Sequence, residues 1–264
     1  MSSRNADPAI LITIPLSHYC EKARWALDRV GLPYREAPHA PPFHRLATRR
    51  NDSGTVPVLV HGHHRYIDST DILQYADRVS GGHVLYPADA ALCAEVEAWE
   101  ERFDTELGPH ARRWAYAQLL PDTALVRSLW SQGVPPLEAR LVPVIAPVAF
   151  RLVRRAYKIT PLGAQRSLER LRNVFGEVDA CLLDERRFLV AERFTAADLT
   201  FAALAAPALL PAECRAAHPR LDQVPAAMRE EILSLRDTRA GRFALRLFAE
   251  ERSRSCAVPK PRAK

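Results

Sequence analysis

The sequence predicts two domains of different class, an α/β domain over residues 1–85 and an all-α domain over 90–255. Three observations predict them. Between Ala9 and about Ser80, short apolar runs alternate with segments of helical spacing. Gly81-Gly82 and Pro87 then mark a linker. Beyond it, apolar residues recur at the three- and four-residue spacing of helices. With 264 residues, 48% of them hydrophobic and 26% charged, the chain is long and apolar enough to bury a core in each part.

Residues 1–8 read as a disordered lead. Ala9–Ile14 reads as a strand stopped by Pro15, and a helix over about 18–31 ends at Gly31, before Pro33. A short strand around Tyr34-Arg35-Glu36 and an irregular loop rich in Pro, His and Arg follow. Next come a strand Val56–Val60, a turn at Gly62-His63, a strand Arg65–Ile67 and a helix from Ser69 to about Val79. This order (βαβ, hairpin, helix) predicts a small, mostly parallel sheet of thioredoxin-like type.

In the second domain, a helix over 90–119 carries Leu92, Val96, Trp99, Phe103 and Leu107, and one over 164–184 carries Leu168, Leu171, Val174, Phe175, Val178 and Leu182. A third runs from Thr195 to about Ala206, and two more fill 222–251. Thr195-Ala196-Ala197-Asp198 spells a capping box, with Phe194 and Leu199 placed as its hydrophobic staple. Asp198 is structural on this reading, and losing the cap costs about 1 kcal/mol.

Residues 120–160 form an insert, and 256–264 a basic tail with Lys260, Arg262 and Lys264. Leu141–Val153 is strongly apolar, contains Pro143, Pro147 and Arg151, and is too short to span a bilayer. It reads first as a buried or partner-facing helix. The second reading is a membrane-surface contact flanked by Arg154, Arg155 and Lys158.

The net charge of +6 is spread along helices. Its sharpest cluster (Arg151, Arg154, Arg155 and Lys158) has no recognition motif beside it, so it reads as a solvated face rather than a nucleic-acid surface. The five cysteines are odd in number and scattered at 20, 93, 181, 214 and 256, never at metal-ligand spacing. That favours a reducing compartment, most simply the cytoplasm, and the opening residues lack the pattern of an export signal. The histidines of His61-Gly62-His63-His64 fall in a tight turn where side chains diverge, so no metal site is expected there.

The most informative stretch is Ser17-His18-Tyr19-Cys20. A strand that turns within three residues into a helix aims the helix's first N–H groups at one point, where an anion is stabilised. Ser17 places a hydroxyl there and Cys20 a thiol one turn on, a thioredoxin-type Cys-x-x-Cys with its first sulfur replaced by oxygen. Dithiol chemistry then lacks its attacking sulfur, and the site suits a thiolate supplied from outside. Cys20 itself faces the core and reads as packing.

Three features are expected to converge on this point. Gly54-Thr55-Val56-Pro57 opens a strand, where an extended valine before a proline in cis leaves its N–H and C=O free for a peptide ligand. The alternative is an ordinary edge-strand proline. Asp68 can accept from an ammonium while Ser69 and the amides behind it donate to a carboxylate; a plain N-cap at Ser69 is compatible with that. The loop 39–50 offers His39, His44, Arg45, Arg49 and Arg50 as cations for a second carboxylate.

An amino-acid head group, an extended peptide, a thiolate and a far carboxylate describe glutathione. Here the chain resembles the glutathione S-transferase superfamily: Ser17 stands at the catalytic hydroxyl, Thr55-Val56-Pro57 at the cis-proline and Asp68-Ser69 at the acid–serine pair. Phe188–Leu199 resembles the capping motif of the family's helical domain. The resemblance is to a bacterial-type member with serine at the catalytic position and an extended C-terminal domain. It implies a cytoplasmic, homodimeric detoxification enzyme that activates the glutathione thiol for attack on a small electrophile, by conjugation or by glutathione-dependent reduction or isomerisation, with no metal.

By the same resemblance, Tyr19, Cys20 and His44 join Thr55, Val56, Pro57, Asp68 and Ser69 as glutathione-binding residues. His110, Arg113, Trp114 and Tyr116, on the second half of the 90–119 helix where Pro109 bends it, are the expected electrophile site. The competing reading is a non-catalytic module of the same fold that binds a protein partner or membrane surface through 120–160.

Overall fold

The computed structural model describes residues 8–49 and 53–252. Arg50, Cys256 and the basic tail lie outside the described residues. The first domain runs β1 (Ala9–Thr13), α1 (His18–Val30), β2 (Tyr34–Pro38), α2 (His44–Arg49), β3 (Val58–His61), β4 (His64–Tyr66) and α3 (Ser69–Val79). The sheet order is β2-β1-β3-β4. Only β1 and β2 are parallel, as a helical crossover requires; β3 runs antiparallel to both β1 and β4. The sheet is therefore mixed rather than mostly parallel. β3 starts at Val58 rather than Val56, because Pro57 has no N–H for the ladder. α1 ends where Gly31, at φ 70, turns its N–H back onto the carbonyls of Asp28 and Leu27.

The helical domain runs α4 (Ala90–Arg102), a π turn (Phe103–Leu107), α5 (Gly108–Leu119), α6 (Thr123–Trp130), α7 (Pro136–Ala156), α8 (Pro161–Cys181), α9 (Ala196–Leu209), α10 (Ala226–Asp237), α11 (Arg239–Leu247) and a closing π turn, Phe248–Arg252. α9 is apolar all round and buried along nearly its whole length, as a helix at the centre of a bundle must be. Its Phe201 meets Phe103, Phe175 and Phe243. The capping box is present, with Asp198 Oδ2 accepting from Thr195 N at 2.8 Å.

The long helix expected over 90–119 is interrupted one turn before Pro109. In the π turn Gly108 N–H donates to Phe103 O, five residues back. The next bond of that series would come from residue 109, but proline has no N–H, so the Asp104 carbonyl is left for another donor. The Tyr19 hydroxyl supplies it, at 3.0 Å. A Cβ on Gly108 would overlap that hydroxyl. The insert folds as α6 and α7. Val142, Ala146, Ala149 and Phe150 of α7 are buried, with Phe150 4.9 Å from Trp130 of α6.

Candidate active site

Ser17 is the N-cap of α1, with extended φ −79 and ψ 118, and its Oγ accepts from Cys20 N at 3.3 Å. That bond uses an acceptor lone pair; the single O–H of a serine rotates to suit its partner. The hydroxyl is half-buried, within reach of a ligand. Residues on either side fix it. Ala217 N donates to Pro15 O at 2.8 Å, and His18 Nε2 pairs with Gly108 O at 3.0 Å.

The sheet register gathers the other features at the same end. Ile12 pairs with Val58 near the exit of β1, so Val56-Pro57 lies beside the turn to Ser17. Leu59 pairs with Tyr66, which brings the exit of β4, and Asp68-Ser69 after it, to that edge too. Val56-Pro57 is cis, and Val56 precedes the ladder. Asp68, not Ser69, is the N-cap of α3: it is exposed, and one carboxylate oxygen accepts from Thr70 N at 2.8 Å. Ser69 is buried.

Behind this edge lies a buried polar cluster. Lys22 Nζ is 2.6 Å from Asp104 Oδ2, 2.8 Å from Glu100 Oε1 and 3.0 Å from Thr70 Oγ1. Burial pulls the Lys22 ammonium down, but the facing Glu100 and Asp104 outweigh it and hold the pKa above its ordinary value. The cluster ties the start of α3 to α1 and α4.

Burial, reinforced by Arg112, pushes the His18 imidazole down to about 3, and burial pushes His44 to about 4. Unfolding frees both to take protons near their ordinary 6.5, so folded stability is full above that value and is lost as pH falls towards the depressed values. Thermal melts are expected to show the midpoint dropping from pH 7 to pH 5, with a shallower drop in His18→Gln.

An apolar cavity opens beside Ser17. Its walls include Leu16 and His18 from the strand–helix turn, Arg112, Tyr116 and Leu119 from α5, and Leu210 beyond α9.

The family description "Glutathione S-transferase, N-terminal domain" matches residues 11–83. That match covers the first domain, under a third of the chain. No curated protein matches it in sequence. Solved structures share its fold at low identity. Glutathione transferase GSTFuA3 from Phanerochaete chrysosporium is 16% identical, covering 94% of this chain and 98% of its own, with a TM-score of 0.63. The beta-etherase LigF from Sphingobium sp. strain SYK-6 is 18% identical over 90% and 98%, at 0.57. Poplar glutathione transferase F1 is 15% identical over 92% and 99%, at 0.55.

Within this glutathione-transferase fold, several expected site residues have other duties. The Tyr19 hydroxyl is bonded to the Asp104 carbonyl and joins the two domains. Cys20 is fully buried, and burial, opposed by Arg24, raises its thiol above the ordinary value. His44 is neutral at physiological pH and hydrogen-bonded to Gly54 backbone, so it is no cation. His39 is bonded to Glu138 of α7 at 2.6 Å, while Arg45 and Arg49 are exposed. Thr55 is exposed, and its N–H donates to Ser53 Oγ at 3.1 Å.

Of the four electrophile-site residues only Tyr116 lines the cavity. Trp114 is core. Arg113 donates to Tyr157 O and Ser167 Oγ, and with His110 it lines a separate polar cavity. The α5 face that lines the apolar cavity is the neighbouring one, Arg112-Ala115-Tyr116-Leu119. Arg112 also lines that cavity, and its guanidinium lies 4.2 Å over the Tyr157 ring and 5.7 Å from that of Tyr19. Among the described residues no group of His, Cys, Asp and Glu is placed to hold a metal ion, and no helix is long and apolar enough to cross a membrane.

Proposed function

We propose that the chain is a glutathione transferase that ionises the glutathione thiol at Ser17 and directs it at an apolar electrophile held against α5. The observation that carries this is the convergence of a capped helix start, the cis Val56-Pro57 bond and the exposed Asp68 at one sheet edge, with an apolar cavity lined by the chain neighbours of Ser17. Val56 N–H and C=O pair with the peptide, and Asp68 and the α3 amides take the γ-glutamyl head group. The Ser17 O–H and the α1 amides donate to the sulfur, so the thiol proton leaves to solvent; the sulfur lone pair forms the bond to the electrophilic carbon as that carbon's leaving group departs to solvent with its bonding pair. The reading includes a homodimer, which rests on the family resemblance alone.

Retention on immobilised glutathione, with turnover of an aromatic electrophile, tests the proposal; a chain that does neither is not this enzyme. Asp68→Ala is expected to weaken glutathione binding by about 1.5–3 kcal/mol, the range of a hydrogen bond to a charge. Isothermal titration measures it, and unchanged affinity with a lower melting temperature would reduce Asp68 to a cap. Arg112 is the charge in an otherwise apolar wall, which selects an electrophile carrying an anionic or electron-rich group. Arg112→Met is expected to raise the KM of an anionic electrophile about tenfold or more while leaving that of glutathione in place. Both constants moving together would contradict the assignment.

A further inference from the structure

Exposed large apolar side chains concentrate on α7. Leu137, Val144 and Val148 are 67%, 75% and 57% exposed, and Leu141 and Leu152 are exposed beside them. The spacings of four, three, four and four put all five in one stripe, about 22 Å long at 1.5 Å per residue. The opposite side of the helix, at Val142, Ala146, Ala149 and Phe150, is already occupied by the core. The stripe is therefore a second apolar face that the fold itself leaves uncovered.

Its charge says what covers it. Arg140, Arg151, Arg154, Arg155 and, just past the helix, Lys158 are all exposed. The acidic residue of α7, Glu138, is held by His39 Nδ1 at 2.6 Å and Ala40 N at 2.8 Å. Past the helix end, Lys158 leads into an open polar cavity whose walls also carry Arg113, Arg166, Arg170 and one acid, Glu106, which lies 3.7 Å from Arg170. An apolar stripe edged by cations alone fits a surface that is apolar below and anionic above.

The structure assigns α7 as an interfacial helix that seats the protein on an anionic lipid bilayer, the stripe entering the headgroup–acyl boundary and the arginines meeting lipid phosphates. The full chain is expected to float with vesicles of phosphatidylcholine containing one third phosphatidylglycerol, and to bind pure phosphatidylcholine vesicles far less. Val144→Glu with Val148→Glu should weaken binding to the anionic vesicles by roughly tenfold or more, with the melting temperature unchanged because both positions are solvated. Arg151→Gln with Arg155→Gln, which leaves the apolar stripe intact, should weaken it comparably and lower its salt sensitivity. Equal binding by wild type and both variants, equal binding to neutral and anionic vesicles, or absence of binding would overturn the assignment. So would a dimer in sedimentation that Val144→Glu with Val148→Glu converts to monomers, which would make the stripe's occupant a second copy.

Discussion

Arg252→Ala is expected to destabilise the protein by about 3–5 kcal/mol, the cost of removing one partner from a buried ion pair. Arg252 closes the last π turn with its side chain 1% exposed, and Nε donates to Glu21 Oε1 at 2.8 Å and Nη1 to Asp28 Oδ2 at 2.7 Å. Glu21 is fully buried in α1, and its other close cation, Arg24, stands 3.5 Å away while pairing more tightly with Glu36 at 2.6 Å. Without Arg252 the Glu21 charge stays buried with a weaker partner, and the end of the chain loses its hold on the helix that begins at Ser17. Denaturant titration measures the loss. A change below about 1 kcal/mol would mean that Arg24 alone neutralises Glu21.

Ser17→Ala is expected to lower turnover by about 10²–10³, the range for removing one donor from a preorganised anion site. The hydroxyl also caps α1, so stability falls by about 1 kcal/mol as well. Glutathione affinity should hold, because Val56 and Asp68 carry most of the peptide. The variant's rate should rise with pH up to the range in which a free thiol ionises, about 8.5. A wild-type pH–rate profile in the variant would leave the α1 amides as the activating group.

The sequence showed the strands and the two longer helices of the first domain, since Pro15, Gly31, Pro57 and the Gly62 turn punctuate it, but it read the short α2 as irregular loop. The capping box was equally legible, because its four residues interact locally. Two things were hidden. α1 buries His18, Glu21, Lys22 and Arg24, charged residues whose partners Glu36, Glu100, Asp104 and Arg252 are distant in sequence; periodicity records only apolar residues and reads such a helix as half solvated. The π turn was the other, since it adds a residue to one turn and shifts the facing of everything after it. Pro109 pointed to an irregularity, but not to its position or kind.

The central claim is that the helix start at Ser17 ionises a bound thiol. Titrating the thiolate absorbance of glutathione bound to the wild-type chain and to Ser17→Ala tests it without any electrophile. The expected result is a bound-thiol pKa at least one unit below the free value of about 8.5 in the wild type, and one returning most of the way to it in the variant. A bound thiol that titrates at the free value in the wild type would contradict the account.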